Sequence, residues 1–364
     1  MKVLHVIESL EFGGAEKVVV DLANALVERV PVGICCVKRI GELRDALDAR
    51  IAVHCLNKQE GNDFGLPRRL ARLASHDGYD VVHSHTWGVF LEPALARTRR
   101  APRRLVHTVH GRYLEYPPGI VSGLKRRLRR VLERWLARRY DAVVAVSASV
   151  RDYVAGNLRI AEPRLVTIHN GIRARASVAV PRPEGSLTFI TVGRLAPVKN
   201  HGLMVGAFAR VAREHGGARL RIVGDGPERA ALEGQVRRLG LDGRVELLGF
   251  RDDIDALLAE AHVFLMSSHY EGISIAILEA MRARLPVVAS RVGGVPDTVT
   301  DERSGILFVD GDEEGMARAM GRLARSARER REMGEEGCRR LEQEFSMDAM
   351  VAKYYALYRA GEPD

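Results

Sequence analysis

No stretch of this 364-residue chain approaches the run of about 20 apolar residues that crosses a bilayer. Its start, MKVLHVIESLEFGGAE, also lacks the uninterrupted apolar segment of a secretory leader. The expected location is therefore the cytoplasm. Cysteines are few: Cys35, Cys36, Cys55 and Cys338 fit neither a disulfide framework nor a zinc spacing, and are expected to be reduced thiols. Aromatic residues make up only 5%, and no basic stripe is interleaved with them. That argues against a nucleic-acid-binding protein, the reading that basic charge alone would suggest. Apolar residues are not scarce: at 46% hydrophobic the chain is not predominantly disordered. With about 100–200 residues to a domain, its length suggests two, each able to bury its own core.

The positive charge is uneven. Residues 1–172 hold 28 lysines and arginines against 18 acidic side chains, while the remainder holds 28 against 29. The excess thus lies in the first half. Nucleic acid, an anionic membrane surface and an anionic substrate all suit such a half, and composition does not choose among them.

Short apolar runs alternate with helical patterns. KVLHVI reads as a buried strand, followed by a glycine-containing loop and a helical pattern from Ala15 to Leu26. The same order recurs with LTFITVG (187–193), the loop RLAPVKN and a helical stretch from His201 to Arg213. Strand, loop, helix opens a parallel α/β domain, and its recurrence predicts two doubly wound domains. Further strands are expected at 32–37, 80–85, 104–110, 142–147 and 164–170, and at 219–224, 245–250, 263–268, 286–290 and 305–309. Several are continuously apolar, as strands buried on both faces are. The division expected is 1–172, a linker at 173–186 and 187–345, with the amphipathic segment 346–364 packing back on the first domain.

Five segments carry candidate chemistry. In SSHYEGISIAILEAMRARLPVVASRVGGVPD (267–297), Gly272, Ile273 and Ser274 lie between a strand end and a helix start. Backbone N–H groups at such a start have no intrahelical partner and suit phosphate oxygens. Glu271 precedes the helix and Glu279 follows roughly 8–12 Å along its axis, a spacing for two ends of an elongated ligand. The other reading makes Glu271 a turn residue and Glu279 a solvated one. Arg194 and Lys199, in GRLAPVKN, follow a strand where parallel sheets bind ligands. They either clamp a diphosphate, each charged hydrogen bond contributing roughly 1.5–3 kcal/mol, or form an ordinary basic loop. Gly13 and Gly14 permit close approach of a ligand or simply make a tight turn, and the G-x-G-x-x-G fingerprint is absent.

His83, His85, His107 and His110 fall at strand ends, where an imidazole either bonds a sugar hydroxyl or is a satisfied core group. His110, directly before Gly111, favours the first reading. None has a sequence spacing that suggests a metal site. Segment 120–140 carries eight basic residues, one glutamate and an apolar stripe at 120, 124, 128, 131, 132, 135 and 136. It suits an anionic leaflet, or a helix packed on the sheet with a solvated basic face.

Together these segments resemble the retaining GT-B glycosyltransferases of family 4, also called glycosyl transferases group 1. The likeness runs in order along the chain: GGAE (13–16), VHTVHG (106–111), HNGI (169–172), VGRLAPVKN (192–200), VGDGPER (223–229), GFRDDI (249–254), E-G-I-S-x4-E (271–279) and GGVPD (293–297). The resemblance implies two Rossmann-like domains facing a central cleft, the first on the acceptor side and the second binding the nucleotide-sugar. It implies that Gly14, Arg194 and Lys199 meet the donor diphosphate, and that Gly272, Ile273 and Ser274 donate backbone N–H groups near it. Glu271 would hold the sugar hydroxyls, Glu279 the ribose, and Phe250 and Arg251 would face the base. His110 would sit beside the transferred sugar. Neither cofactor nor metal is expected.

The expected reaction moves a hexosyl group from a nucleotide-sugar, UDP-sugar first and GDP-mannose second, to a glycan or lipid-linked acceptor. The expected setting is cell-surface polysaccharide biosynthesis, with peripheral contact at the inner face of the plasma membrane through 120–140. A nucleotide-sugar epimerase or a phosphorylase of the same fold is the alternative, and a basic nucleic-acid-binding protein a distant one.

Overall fold

The computed structural model describes residues 1–61, 63–98, 102–112, 123–160, 162–173 and 187–360, with backbone only at 123–126. Most of the expected linker, 174–186, and the residues 120–122 and 361–364 lie outside them. The chain forms two compact units, Met1–Gly171 with Met347–Asp364, and Ile172–Ser346.

The first unit is built on β1 (Val3–Ser9), β2 (Val32–Arg39), β3 (Ala52–Cys55), β4 (Val81–His85), β5 (Arg104–Val109), β6 (Ala142–Ala145) and β7 (Leu165–Thr167). These strands pair in parallel in the order β3-β2-β1-β4-β5-β6-β7. The second unit has β8 (Leu187–Val192), β9 (Ala218–Val223), β10 (Val245–Gly249), β11 (Val263–Met266), β12 (Val287–Ser290) and β13 (Gly305–Phe308), ordered β10-β9-β8-β11-β12-β13. Both sheets thus start at an inner strand, run outward one way, and reverse. The reversal points are between β1 and β4 and between β8 and β11, where open parallel sheets bind ligands beyond their carboxyl ends.

The local reasons are ordinary. Helix Gly14–Leu26 buries Val18, Val19, Leu22, Ala23 and Leu26 along one face, the i, i+3, i+4 pattern of an amphipathic helix. Helix Ala148–Leu158 is capped by Ser147, whose side chain accepts from the Val150 N–H at 3.2 Å. In the second unit Phe189, Phe208, Leu220, Ile222, Met316 and Leu323 belong to one core between sheet and helices.

The C-terminal helix Met347–Arg359 belongs to the first unit. Met347, Met350, Val351, Tyr354 and Tyr358 form its buried face. Tyr358 Oη lies 2.5 Å from His83 Nδ1, Tyr354 Oη lies 3.0 Å from Thr108 Oγ1, and the Gly171 N–H meets Met350 Sδ at 3.2 Å.

The sequence reading omits β3, and some strands prove shorter than expected. The run 164–170 contains only the strand Leu165–Thr167, and 263–268 only Val263–Met266. Ser267 and Ser268 therefore lie beyond the strand, at the ligand-binding end of the sheet. All four cysteines are unpaired, as expected.

Candidate active site

In the second unit, two loops at the reversal point are tied together. The loop after β8 carries Arg194 and ends in the turn Pro197–Lys199. The loop after β11 carries Ser267 to Glu271. Ser267 Oγ donates to the carbonyls of Lys199 (3.0 Å) and Asn200 (2.8 Å), and the His269 N–H donates to the Val198 carbonyl at 2.8 Å. This stitching brings Lys199 Nζ to 2.6 Å from Glu271 Oε1. Ser268 Oγ donates to the same oxygen at 2.6 Å. Glu271 is 9% exposed, so its charge is compensated where it is least hydrated. One carboxylate oxygen is fixed; Oε2 has no hydrogen-bond partner among the described residues and is left to bond a ligand hydroxyl.

Two glycines make these loops possible. Gly293, the first glycine of GGVPD, has φ +53°, and a Cβ there would fall 1.9 Å from the Glu271 carbonyl oxygen. The Gly294 N–H donates to that same oxygen at 3.1 Å. Gly224, in VGDGPER, has φ +132°, and its Cβ would fall 2.1 Å from the Gly193 carbonyl, beside Arg194. Both motifs serve close backbone packing that supports the two loops.

Arg194 is exposed and makes no ion pair among the described residues, which leaves its guanidinium free for an anion. Gly272, Ile273 and Ser274 lead into helix Ile275–Arg282, with Ser274 as N-cap accepting from the Ile277 N–H at 3.5 Å. Glu279 sits in the second turn and is 7% exposed, which removes the reading of it as a solvated helix residue. Phe250 is exposed after β10, and Arg251 pairs with Asp253 at 2.5 Å.

Gly14 and His110 belong to the first unit. Gly14 opens its helix, and a Cβ there would meet nothing within 4 Å, so the space above it is open. The neighbouring Gly13 is different: the Glu16 side chain folds back over it, and burial raises the Glu16 carboxyl above its ordinary pKa. His110 follows β5.

Around His110 the fold gathers histidines distant in sequence: His5 on β1, His83 and His85 on β4, and His107 on β5. Donor atoms of His5, His83 and His85 lie within 4.8 Å of one another. Yet His83 Nδ1 bonds Tyr358 and its Nε2 lies 2.7 Å from Thr108 Oγ1, so both its nitrogens are taken by hydroxyls. The trio is a hydrogen-bonded cluster, not a ready ligand set. Burial pushes His5 and His107 down to about 3 and His110 to about 4, with His83 and His85 also well below the usual imidazole value.

The description "Glycosyl transferases group 1" matches residues 173–340, and "Glycosyltransferase Family 4" matches residues 12–175. A glycogen synthase of Mycobacterium tuberculosis is 32% identical over 278 residues, 72% of this chain and 67% of that protein. The chain belongs to glycosyltransferase family 4. It is a glycosyltransferase, and the alternatives of another class fall away. A glycosyltransferase of Rickettsia africae superposes with a TM-score of 0.84 at 19% identity, covering 99% of this chain and 98% of that one. HepE of Anabaena, solved with UDP, gives 0.82 at 22%, covering 99% of this chain and 100% of that one; a HepE structure with UDP-glucose is also known. Both share the GT-B arrangement of two parallel α/β domains.

The sequence reading missed Ser268, Gly293 as a support and His5 as a member of the histidine cluster. Ser268 was visible as a hydroxyl at the carboxyl end of a strand. His5 had no such signal, since it sits inside an apolar run.

The basic segment forms helix Gly123–Ala137. Its stripe splits: Leu136 is buried, whereas Leu128, Val131, Leu132 and Trp135 are exposed. Arg127, Arg129 and Arg130 of the same helix are exposed as well, and Arg129 pairs with Glu133 at 2.8 Å. Among the described residues no helix is long and apolar enough to cross a membrane.

Proposed function

We propose that this glycosyltransferase transfers a hexosyl group, with retention of anomeric configuration, from a nucleotide-sugar to a glycan or lipid-linked acceptor, in building a cell-surface polysaccharide. A UDP-sugar is the first donor to test and GDP-mannose the second. The observation that carries the reading is Glu271: one oxygen anchored by Lys199 and Ser268, the other open, at the reversal point of the second sheet.

In this reading the open oxygen of Glu271 accepts from the donor sugar's hydroxyls. Arg194 and Lys199 face the negative charge that develops on the leaving β-phosphate, and charge placed before the reaction stabilises the transition state more than the ground state. The Gly272–Ser274 backbone adds the positive end of a helix. Glu279 holds the ribose and Gly14 lies along the diphosphate. His110 bonds the transferred sugar. The leaving phosphate itself accepts the acceptor's proton, so no protein nucleophile and no metal are needed.

Calorimetry with UDP, GDP and ADP, and then their sugar conjugates, in the presence of a chelator identifies the donor. Glu271→Ala is expected to lower kcat by about a hundredfold or more, the size of one lost transition-state contact, while nucleoside-diphosphate affinity changes little. Near-wild-type turnover in that variant overturns the assignment.

Helix Gly123–Ala137 supports contact with an anionic membrane, since exposed apolar side chains and exposed arginines on one helix suit a leaflet surface. A lipid-linked acceptor would be met there.

A further inference from the structure

His5, His85 and His110 form one line of hydrogen bonds. His5 Nδ1 is 2.9 Å from His85 Nε2, and His85 Nδ1 is 3.2 Å from His110 Nε2. The two end atoms, His5 Nε2 and His110 Nδ1, are buried and have no hydrogen-bond partner among the described residues. His83 stacks near His85, with ring centroids 4.0 Å apart, but takes no part, because its nitrogens are bound to hydroxyls.

A neutral imidazole has one donor and one acceptor nitrogen. In a line of three, each ring's tautomer therefore dictates the next. Either all three carry the proton on Nδ1, or all three carry it on Nε2. The second form leaves an unpaired N–H on His5, which is 0% exposed. A buried N–H without an acceptor is rarer and costlier than an acceptor without a donor. The first form leaves only an acceptor there and puts the unpaired proton on His110 Nδ1, which is buried too but belongs to a half-buried residue at the strand end, where a bound ligand can supply the acceptor that His5, inside the sheet, lacks.

We infer that His5 and His85 are positioning residues that lock His110 in the tautomer with its proton on Nδ1, so that His110 offers an N–H to an oxygen of the bound sugar. This rests on the transferase reading of His110 given above.

Two observations agree. Burial keeps all three rings neutral near neutral pH, and a charged ring would donate on both sides and break the coupling. Thr86, directly after His85, is held at φ 66° and ψ 158°. That region is essentially reserved for glycine, and strain of this kind persists where surrounding structure fixes a site. Here the Thr86 N–H donates to the Thr108 carbonyl at 3.2 Å, and Trp87 Nε1 donates to the Gly111 carbonyl at 3.1 Å. Both bonds tie the end of β4 to the segment bearing His110.

Long-range proton–nitrogen correlation spectra of the full chain, labelled with nitrogen-15 histidine, read the tautomers directly. Nδ1 protonation is expected on all three rings at neutral pH. A His110 resonance protonated on Nε2, or averaged between forms, overturns the inference without any variant. His5→Phe removes the donor to His85. It is expected to average the His110 signal and lower kcat on the order of tenfold, the equivalent of one hydrogen bond, with the donor KM unchanged. His5→Asn, whose amide N–H falls near the Nδ1 position, is expected to restore both. An unchanged His110 signal in His5→Phe overturns the coupling. A changed signal with unchanged kcat leaves the line standing and removes His110 from the transfer reaction instead.

Discussion

Thr86 shows how much the end of β4 is constrained. A β-branched residue at φ 66° and ψ 158° costs about 1–3 kcal/mol in backbone strain. Its Oγ1 is also buried without a hydrogen-bond partner among the described residues. Thr86→Gly is therefore expected to raise the melting temperature, since the strain relieved exceeds the roughly 1 kcal/mol of entropy a glycine adds to the unfolded chain. A lower melting temperature would show that the Thr86 side chain stabilises the turn. Gly293 is the opposite case: its Cβ would collide with the Glu271 carbonyl, so the GGVPD motif is explained by its packing against the site loop. At this scale the sequence was most informative where chemistry is local. Arg194, Lys199 and Glu271 stood out as charged groups next to strand ends, but position alone left a basic loop and a turn residue open, and the resemblance of the surrounding motifs to the family singled them out as candidates.

At the scale of elements, helix Gly123–Ala137 exposes side chains that a purely structural helix would bury. Leu128 is 62% exposed and Trp135 54%, among exposed arginines. Binding to vesicles containing anionic phosphatidylglycerol is expected, weakening with salt as screening shortens the reach of the arginines. The double variant Leu128→Ser and Trp135→Ser is expected to lower vesicle binding by about tenfold or more, given the apolar area withdrawn from water by both side chains. Equal binding by wild type and variant, or none by wild type, would dismiss the membrane reading. The apolar stripe itself was legible as a periodicity. Whether it packs inward was not, because a helix pattern does not say which neighbours are present. β3 escaped for a related reason: Ala52–Cys55 is a four-residue edge strand with no buried residue, so it lacks the continuous apolar run that marked the central strands.

For the whole molecule, the histidines of the first unit tie stability to pH. In the unfolded chain each titrates near 6.5, whereas in the folded chain His5 and His107 titrate at about 3 and His110 at about 4. Between those values the unfolded state binds more protons. The stabilisation is thus complete above the unfolded value and is lost as pH falls toward the folded ones. Each such ring adds about 1.4 kcal/mol per pH unit to the slope. A melting temperature that drops steeply between pH 7 and pH 5, before most carboxylates titrate, is the expected result. A flat profile over that window would mean that these rings charge in the folded state.

The sequence by itself determined the alternation of strands and helices, the two-part organisation and the family, and it singled out Arg194, Lys199, Glu271 and Glu279 as candidates. These are written in contiguous stretches, where period, strand ends and loop residues are local properties. Only the tertiary structure decided which residues share a bond. Strand order places β1 beside β4, so His5 meets His85 across 80 positions of sequence, and β8 beside β11, so Lys199 meets Glu271. It also decided that Glu279 is buried and that Leu128 and Trp135 are not. The physical reason is the same in each case: burial and hydrogen bonding are properties of neighbours in space, and parallel crossovers bring together strands that the chain keeps far apart.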